Sequence, residues 1–310
     1  MSGYKYLFGP VPSRRLGASL GVSPIPERTC NYSCVYCQLG RTLRMTNTRQ
    51  EFFPLEEILA EFREYLRGSI PFDVVTVVGE GEPTLYSRLG ELIAGLKKET
   101  DKPVAVITNG ALLYDAEMRR ELMEADIVLP SLDAVTEEQY RKIDRPMGSI
   151  GFAEMAEGLR QFGREYQGQL WIEIMLVDGM NDSPEDIAAF KEFLGTIDYD
   201  RVYLNTPVRP PAEGFVHTSA PERIDLAARE LGGISIDQLT SGSFFSEVED
   251  PYEAILSIAR RHPMNQFEVE SFLEAREIPA DQRQALMERL GQDPGITVVP
   301  YKGIITYRVN

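Results

Sequence analysis

The chain has 310 residues, 43% of them hydrophobic, and its 48 acidic against 32 basic residues give a formal net charge of −16. That length permits one large core, or one core with a small appendage, and that charge disfavours broad electrostatic binding to nucleic acid. No apolar run reaches the length of a membrane span, no targeting segment opens the sequence, and three clustered cysteines suit a reducing compartment, so a cytoplasmic protein with no membrane partner is expected.

Short β-branched runs alternate with amphipathic helical stretches, a pattern that predicts α/β architecture around a parallel sheet. Strands are expected at Leu16–Val22, Phe72–Val78, Pro103–Thr108, Asp126–Ser131, Leu170–Val177 and Arg201–Thr206. Helices are expected between them, at Leu55–Leu66, Arg88–Lys98, Asp115–Glu124, Glu137–Ile143 and Pro184–Leu194. Asp182-Ser183-Pro184-Glu185 carries capping residues and a proline suited to a first helical turn. Residues 1–215 would form the main domain, and residues 216–250, within a stretch rich in Pro, Gly and Ser, a linker or lid. From residue 251 to 310 the pattern predicts three short helices (Tyr252–Arg261, Gln266–Ala275, Asp281–Leu290), then a hairpin turning at Lys302-Gly303. Three helices and a terminal hairpin resemble a small α+β winged-helix module.

All three cysteines fall within eight positions, Cys30, Cys34 and Cys37. An odd count in a long chain argues against a disulfide framework. Structural zinc with three cysteines and a histidine is conceivable, but His217 and His262 lie far along the sequence without paired ligand spacing. An iron–sulfur site is the favoured reading. A cubic four-iron cluster normally takes four cysteines, so three leave one iron open to a ligand that is not protein.

The Cys-x3-Cys-x2-Cys loop with Tyr36 before its last cysteine resembles the radical S-adenosylmethionine (SAM) enzymes. The longer stretch Phe8-Gly-Pro-Val-Pro-Ser-Arg-Arg-Leu-Gly-Ala-Ser-Leu-Gly21, leading into the cysteines and Gln38-Leu39-Gly40, resembles a subgroup related to the wyosine-forming tRNA enzymes. The resemblance covers residues 4 to about 215. It implies an open partial (β/α)6 barrel, a [4Fe–4S] cluster on Cys30, Cys34 and Cys37, and SAM on the open iron. It also implies an electron donor such as flavodoxin or ferredoxin, and a 5′-deoxyadenosyl radical that abstracts hydrogen from a substrate.

Ligands of parallel barrels gather at the C-terminal ends of strands. After the second expected strand, Gly79-Glu80-Gly81-Glu82-Pro83 resembles the family's glycine–glutamate motif, which holds the SAM amino group; the pattern aligns Glu82-Pro83. Glycines let the backbone approach closely, and an ammonium needs acceptors. Asn109, Ser131 and Asp133 stand at later strand ends, where such side chains can bind ribose or carboxylate groups, or merely cap helices and turns. On the fifth expected strand Glu173 and Met175 alternate with Ile172 and Ile174, so one pair faces inward, and a buried Glu needs a partner or ligand. Asn205 and Thr206 close the sixth.

Arginines recur at the same end: Arg14 and Arg15; Arg41, Arg44 and Arg49; Arg145; Arg209. Arg15, Arg145 and Arg209 are the candidate substrate contacts, for a peptide, protein or small-molecule anion, because guanidinium grips carboxylate and phosphate bidentately. With no cysteine beyond the triad, an auxiliary cysteine-ligated cluster and methyl transfer through a protein cysteine are excluded. Two alternatives remain: an RNA-modifying enzyme of wyosine type, and a winged-helix regulator sensing redox state through its cluster. The near-neutral charge of residues 251–310 speaks against the regulator.

Overall fold

In a computed structural model, which describes residues 4–68, 70–236, 244–246, 248–301 and 303–310, the expected units build one sheet strand by strand. An antiparallel hairpin opens it, β1 (Leu7–Ser13) and β2 (Gly17–Val22). Pro10 and Pro12 obscure β1 in the sequence, but at a sheet edge a missing N–H costs no ladder bond. A two-residue parallel pair, β3 (Thr29–Cys30) and β4 (Arg44–Met45), brackets the cysteines. Helices and strands then alternate: α1 (Leu55–Tyr65), β5 (Val74–Val77), α2 (Leu89–Glu99), β6 (Val104–Thr108), α3 (Ala116–Leu122), β7 (Ile127–Pro130), α4 (Glu137–Ile143), α5 (Phe152–Glu165), β8 (Gln169–Met175), α6 (Pro184–Leu194) and β9 (Arg201–Asn205). Helix α5 is not among the predicted ones. Its Gly158 and Gly163 lower helix propensity, yet a Cβ at Gly158 would meet the Tyr114 nitrogen at 2.3 Å, so close packing requires the glycine.

Within residues 216–250, expected as linker or lid, the structure adds another helix and strand, α7 (Pro221–Leu231) and β10 (Ile234–Ser235), the latter parallel to β9. Pro221 starts that helix and Gly232, at φ +62°, ends it. Residues that read as loop formers are here helix boundaries. The part of the expected lid at 237–243 and 247 lies outside the described residues. The sheet order is β1-β2-β5-β6-β7-β8-β9-β10, parallel at every pairing after the first. Each new strand joins on the same side, so the twist accumulates one way and the sheet curls into a partial barrel.

Alternation along the strands sorts the two faces. Val75, Val106, Val128, Ile172, Ile174 and Leu204 face the helices in the main core. On the concave face Val74, Ala105, Ile127, Leu129, Trp171 and Tyr203 form an apolar plug. Further along, the concave positions turn polar: Ser19, Thr76, Glu173 and Asn205 line a cavity. The inward pair on β8 is therefore Glu173 and Met175.

The C-terminal part comprises α8 (Pro251–Ala259), β11 (Met264–Asn265), α9 (Gln266–Ala275), α10 (Ala280–Gln292), β12 (Ile296–Tyr301) and β13 (Ile304–Val309). Its antiparallel sheet has the order β11-β13-β12. Of the expected turn, Gly303 has φ +74° and Lys302 lies outside the described residues. Tyr252, Ile255, Ile258, Phe272 and Leu290 share their core with Phe8 and Val11 of β1, so this module is fused to the opening hairpin. Among the described residues no helix is long and apolar enough to cross a membrane.

Phe8 lies against Gly21, where a Cβ would meet its ring at 2.1 Å, and the Arg261 guanidinium sits 5.4 Å from its centroid. Phe8→Ala should therefore cost about 3–5 kcal/mol in urea unfolding and expose the module to proteases. A loss below about 1 kcal/mol would contradict the shared core.

Candidate functional site

Main-chain bonds pin the cysteine loop on both flanks. Ser33 N and Val35 N donate to the carbonyls of Asp144 and Ile143 at 3.1 and 2.9 Å, and Met147 N donates to Asn31 O at 2.8 Å. Tyr32 packs edge-on to Tyr140, with centroids 5.5 Å apart, and their hydroxyls bond. On the other flank Glu82 N donates to Thr29 O at 3.1 Å. A Cβ at position 81 would lie 1.7 Å from that oxygen, so only glycine lets the two segments meet.

Burial holds all three thiols above their usual range, and the nearby carboxylates of Glu82, for Cys30, and Asp144, for Cys34, add to it. The Cys34 thiol donates toward Asp144 Oδ1 at 3.8 Å. Arg308 and Arg28 pull Cys37 the other way. Both flank Gly40, where a Cβ would lie 3.6 Å from Arg308 Nη1 and 3.7 Å from Arg28 Nη1. Burial first, then Arg28, depresses Arg308, and its Nη1 is buried with no hydrogen-bond partner among the described residues.

These residues fit an iron–sulfur cluster: soft thiolate donors on one loop, and beside them the Arg308 guanidinium, whose buried Nη1 needs an anion. Among the described residues no three His, Cys, Asp or Glu groups are arranged to hold a single metal ion; a cubane takes each thiolate at a separate iron.

The residues singled out from sequence take three different positions. Some brace the loop. Glu82 Oε1 accepts from Thr84 N (3.0 Å) and Thr108 Oγ1 (2.6 Å), while Oε2 accepts from Asn109 N (2.8 Å). Asn109 Nδ2 donates to Asn31 Oδ1 at 2.7 Å and sits 3.6 Å from Cys30 Sγ. Pro83 opens a short 3-10 turn that Glu82 caps. Asp133, raised to about 6 by burial, accepts from the Tyr36 hydroxyl and, at 2.7 Å, from Met175 N. Ser131 bridges through its backbone to Glu173.

Others line a cavity of about 400 Å³ that runs from Tyr36 and Cys37 past Gly79, Gly81 and Glu173 to Arg14, Arg15 and Arg209. Arg15, lowered to about 10 by burial, pairs with the Glu173 carboxylate, which also accepts from Asn205 Nδ2 at 3.2 Å. Arg209 Nη2 stands 2.6 Å from His262 Nε2 and 3.1 Å from Glu268 Oε1. Burial, then Arg209 and Arg14, hold His262 well below its usual range, so its ring is neutral and Nε2 accepts the bond.

A third group points elsewhere. Glu80 pairs with Arg261 of the C-terminal module at 3.4 Å. Arg145 does not line the cavity; it joins Arg41 on the Glu213 carboxylate, with bonds of 2.6 and 2.8 Å. Arg49 binds the Thr84 and Tyr86 carbonyls and Glu121. Sequence reasoning missed Arg28, Asp144, Arg308 and the Arg261–Glu80 pair, and gave His262 no part here. Asp144, Arg308 and Arg261 are each more than 100 positions from their partners and leave no local signal, whereas Arg28 stands just before the cysteines and was passed over.

The radical SAM superfamily model matches residues 25–191. Over 205 residues, 66% of this chain, the sequence is 43% identical to a protein named GTPase Obg from Brachyspira hyodysenteriae, spanning 30% of that relative's length. A UPF0026 protein of Methanocaldococcus jannaschii is 32% identical over 98% of this chain and 95% of its own. Among solved structures, a radical SAM methyltransferase from Sphaerobacter thermophilus shares the fold at TM-score 0.53 and 18% identity, covering 71% of this chain and 68% of that one.

Glu82→Gln is nearly isosteric but turns one acceptor oxygen into a donor, which then faces either Asn109 N or the Thr84 and Thr108 donors. In metal-free protein it should cost about 1–3 kcal/mol of unfolding free energy. Wild-type stability would contradict the bracing role.

Proposed function

This chain belongs to the radical SAM superfamily, whose enzymes work with SAM and a [4Fe–4S] cluster, and from that premise we propose how its own residues divide the work. Cys30, Cys34 and Cys37 hold the cluster, and the cavity beside them holds an anionic substrate. When bound, cluster and SAM supply one-electron cleavage of a sulfonium and abstraction of a hydrogen atom.

Of the two motif glutamates, Glu80 is committed to Arg261. Glu82 Oε2 accepts a single protein donor, Asn109 N, and retains capacity for an ammonium. Glu82 is thus assigned to the SAM amino group. Gly79 and Gly81 open backbone toward the cavity, Tyr36 forms its wall by the cysteines, and Asp133 fixes Tyr36. Asn109 aligns the Cys30 segment; Ser131 sets the register of β7 against β8.

The observation that carries the substrate reading is the far end of the same cavity. There Arg14, Arg209 and neutral His262 gather with one carboxylate, Glu268. Arg15 pairs with Glu173 and Arg209 with Glu268; Arg209 is taken as the anion contact because it stands with His262 at this end of the cavity. A peptide, protein or small molecule bearing carboxylate or phosphate fits that end.

Helix, short strand, two helices and hairpin support a winged-helix-like reading of residues 251–310, which here wall the cavity with Arg261, His262 and Glu268. The regulator reading is not favoured. On α10, Arg283 binds Glu270 at 2.8 Å and Arg289 lies 3.6 Å from the Tyr252 ring centroid, so neither is presented to phosphates.

Anaerobic reconstitution followed by dithionite and SAM should yield 5′-deoxyadenosine, and Cys→Ser at position 30, 34 or 37 should abolish both the cluster absorbance and the product. Product from all three variants would contradict the ligand set. With deuterated cell extract as hydrogen source, Arg209→Ala should cut deuterium transfer into 5′-deoxyadenosine by ~10-fold while uncoupled SAM cleavage persists. Unchanged transfer would remove Arg209 from the substrate site.

A further inference from the structure

The chain's net charge of −16 is unevenly placed: residues 27–50 carry four arginines (Arg28, Arg41, Arg44, Arg49) against one acid, Glu27. Arg49 is consumed by Glu121 and two carbonyls, and Arg28 pairs with Glu27 at 3.2 Å. Arg41 and Arg145 share the single carboxylate of Glu213, which leaves one positive charge uncompensated. Arg44 is exposed on β4 and enters no ion pair among the described residues; its guanidinium lies 5.8 Å from the Phe52 ring centroid.

Apolar side chains are exposed in the same region. Leu43 is 67% exposed and Met45 41%, on either side of Arg44, and Phe215, 55% exposed, lies 5.9 Å from the Arg145 guanidinium. Exposed apolar groups amid local positive charge, on an otherwise acidic molecule, mark a surface for an acidic partner.

The location fixes what that partner does. Strand β4 pairs directly with the strand that carries the first cysteine: Met45 lies opposite Cys30, and Thr46 N donates to Cys30 O at 3.1 Å. From Leu43–Met45 to the cysteine loop is one strand's width, about 5 Å. None of Arg41, Leu43, Arg44, Met45, Arg145 and Phe215 lines the cavity, so a protein seated on β4 does not cover its walls.

We propose that Arg41, Leu43, Arg44 and Met45, flanked by Arg145 and Phe215, form the docking face for an acidic one-electron carrier protein that delivers electrons across β4 to the cysteine loop. One electron leaves the carrier's reduced flavin or iron centre, which is oxidised by one unit, and is taken up at the site held by the three cysteines. No proton needs to move. The inference rests on the radical SAM reading but not on any substrate. Nucleic acid is the weaker occupant, because a patch this small gives few phosphate contacts and Leu43 and Met45 offer them nothing.

The test uses the full-length, cluster-loaded protein and flavodoxin as the carrier. Binding of oxidised flavodoxin, measured by calorimetry at low and high salt, should weaken at least 10-fold in Arg44→Glu and in Leu43→Asp, and should fall with salt in the wild type. Arg44→Lys keeps the charge and should bind as the wild type does. Reoxidation of flavodoxin hydroquinone on mixing should slow in the same two variants, while dithionite-driven SAM cleavage stays within about twofold. Equal binding and equal reoxidation in wild type and Arg44→Glu would overturn the proposal. So would oligouridine that binds wild type more tightly than flavodoxin does and is released by the same substitutions. Should wild type fail to cleave SAM with dithionite, the catalytic reading falls, and the binding measurements still decide the docking face.

Discussion

The structure depends on one steric and electrostatic constraint: a half-buried loop with three thiols is held between two polypeptide segments that also bring carboxylates. Thr29 passes so near position 81 that no side chain fits there, and residues 143–147 bond the other flank. Glu82 and Asp144 thereby stand beside Cys30 and Cys34, and their negative charge opposes the loss of the thiol protons. Such a neighbourhood is unfavourable unless cations share it. Arg28 and Arg308 stand by Cys37, and a cluster held by these thiolates would supply the remaining positive charge.

From this constraint the rest of the site takes its orientation. Glu82 has a structural part of its own, because it ties the end of β6 to the turn after β5 by accepting from Thr108 Oγ1 and Asn109 N. Asp133 likewise supports Tyr36 and Met175 together. The C-terminal module completes the cavity from the far side. Its core includes Phe8 and Val11 of the opening hairpin, and its Arg261 and Glu268 reach across to Glu80 and Arg209. A wall built this way moves only if those buried contacts break together.

The sequence made the fold legible where period and chemistry agree. Six strands, five of the helices between them and the cysteine loop follow from local pattern, while α5, with its two glycines, did not show. What stayed hidden has specific causes. Prolines masked β1 because an edge strand tolerates them, and Pro221 and Gly232 were boundary signals in a stretch that looked like loop. Arg145 was a reasonable contact by position, yet Glu213, 68 residues away in sequence, captures it. The counter-charge Arg308 reaches Cys37 and Arg28 from the far end of the sequence, and no periodicity reports such a meeting.

Electron paramagnetic resonance of the anaerobically reconstituted, reduced protein addresses the open coordination position most directly. Recorded with and without SAM, the spectrum of a cubane held by Cys30, Cys34 and Cys37 alone should change when SAM is added, since the cofactor's amino and carboxylate groups then bind iron. A cluster signal that SAM leaves untouched, or a protein that takes up zinc and shows no cluster signal, would contradict the account.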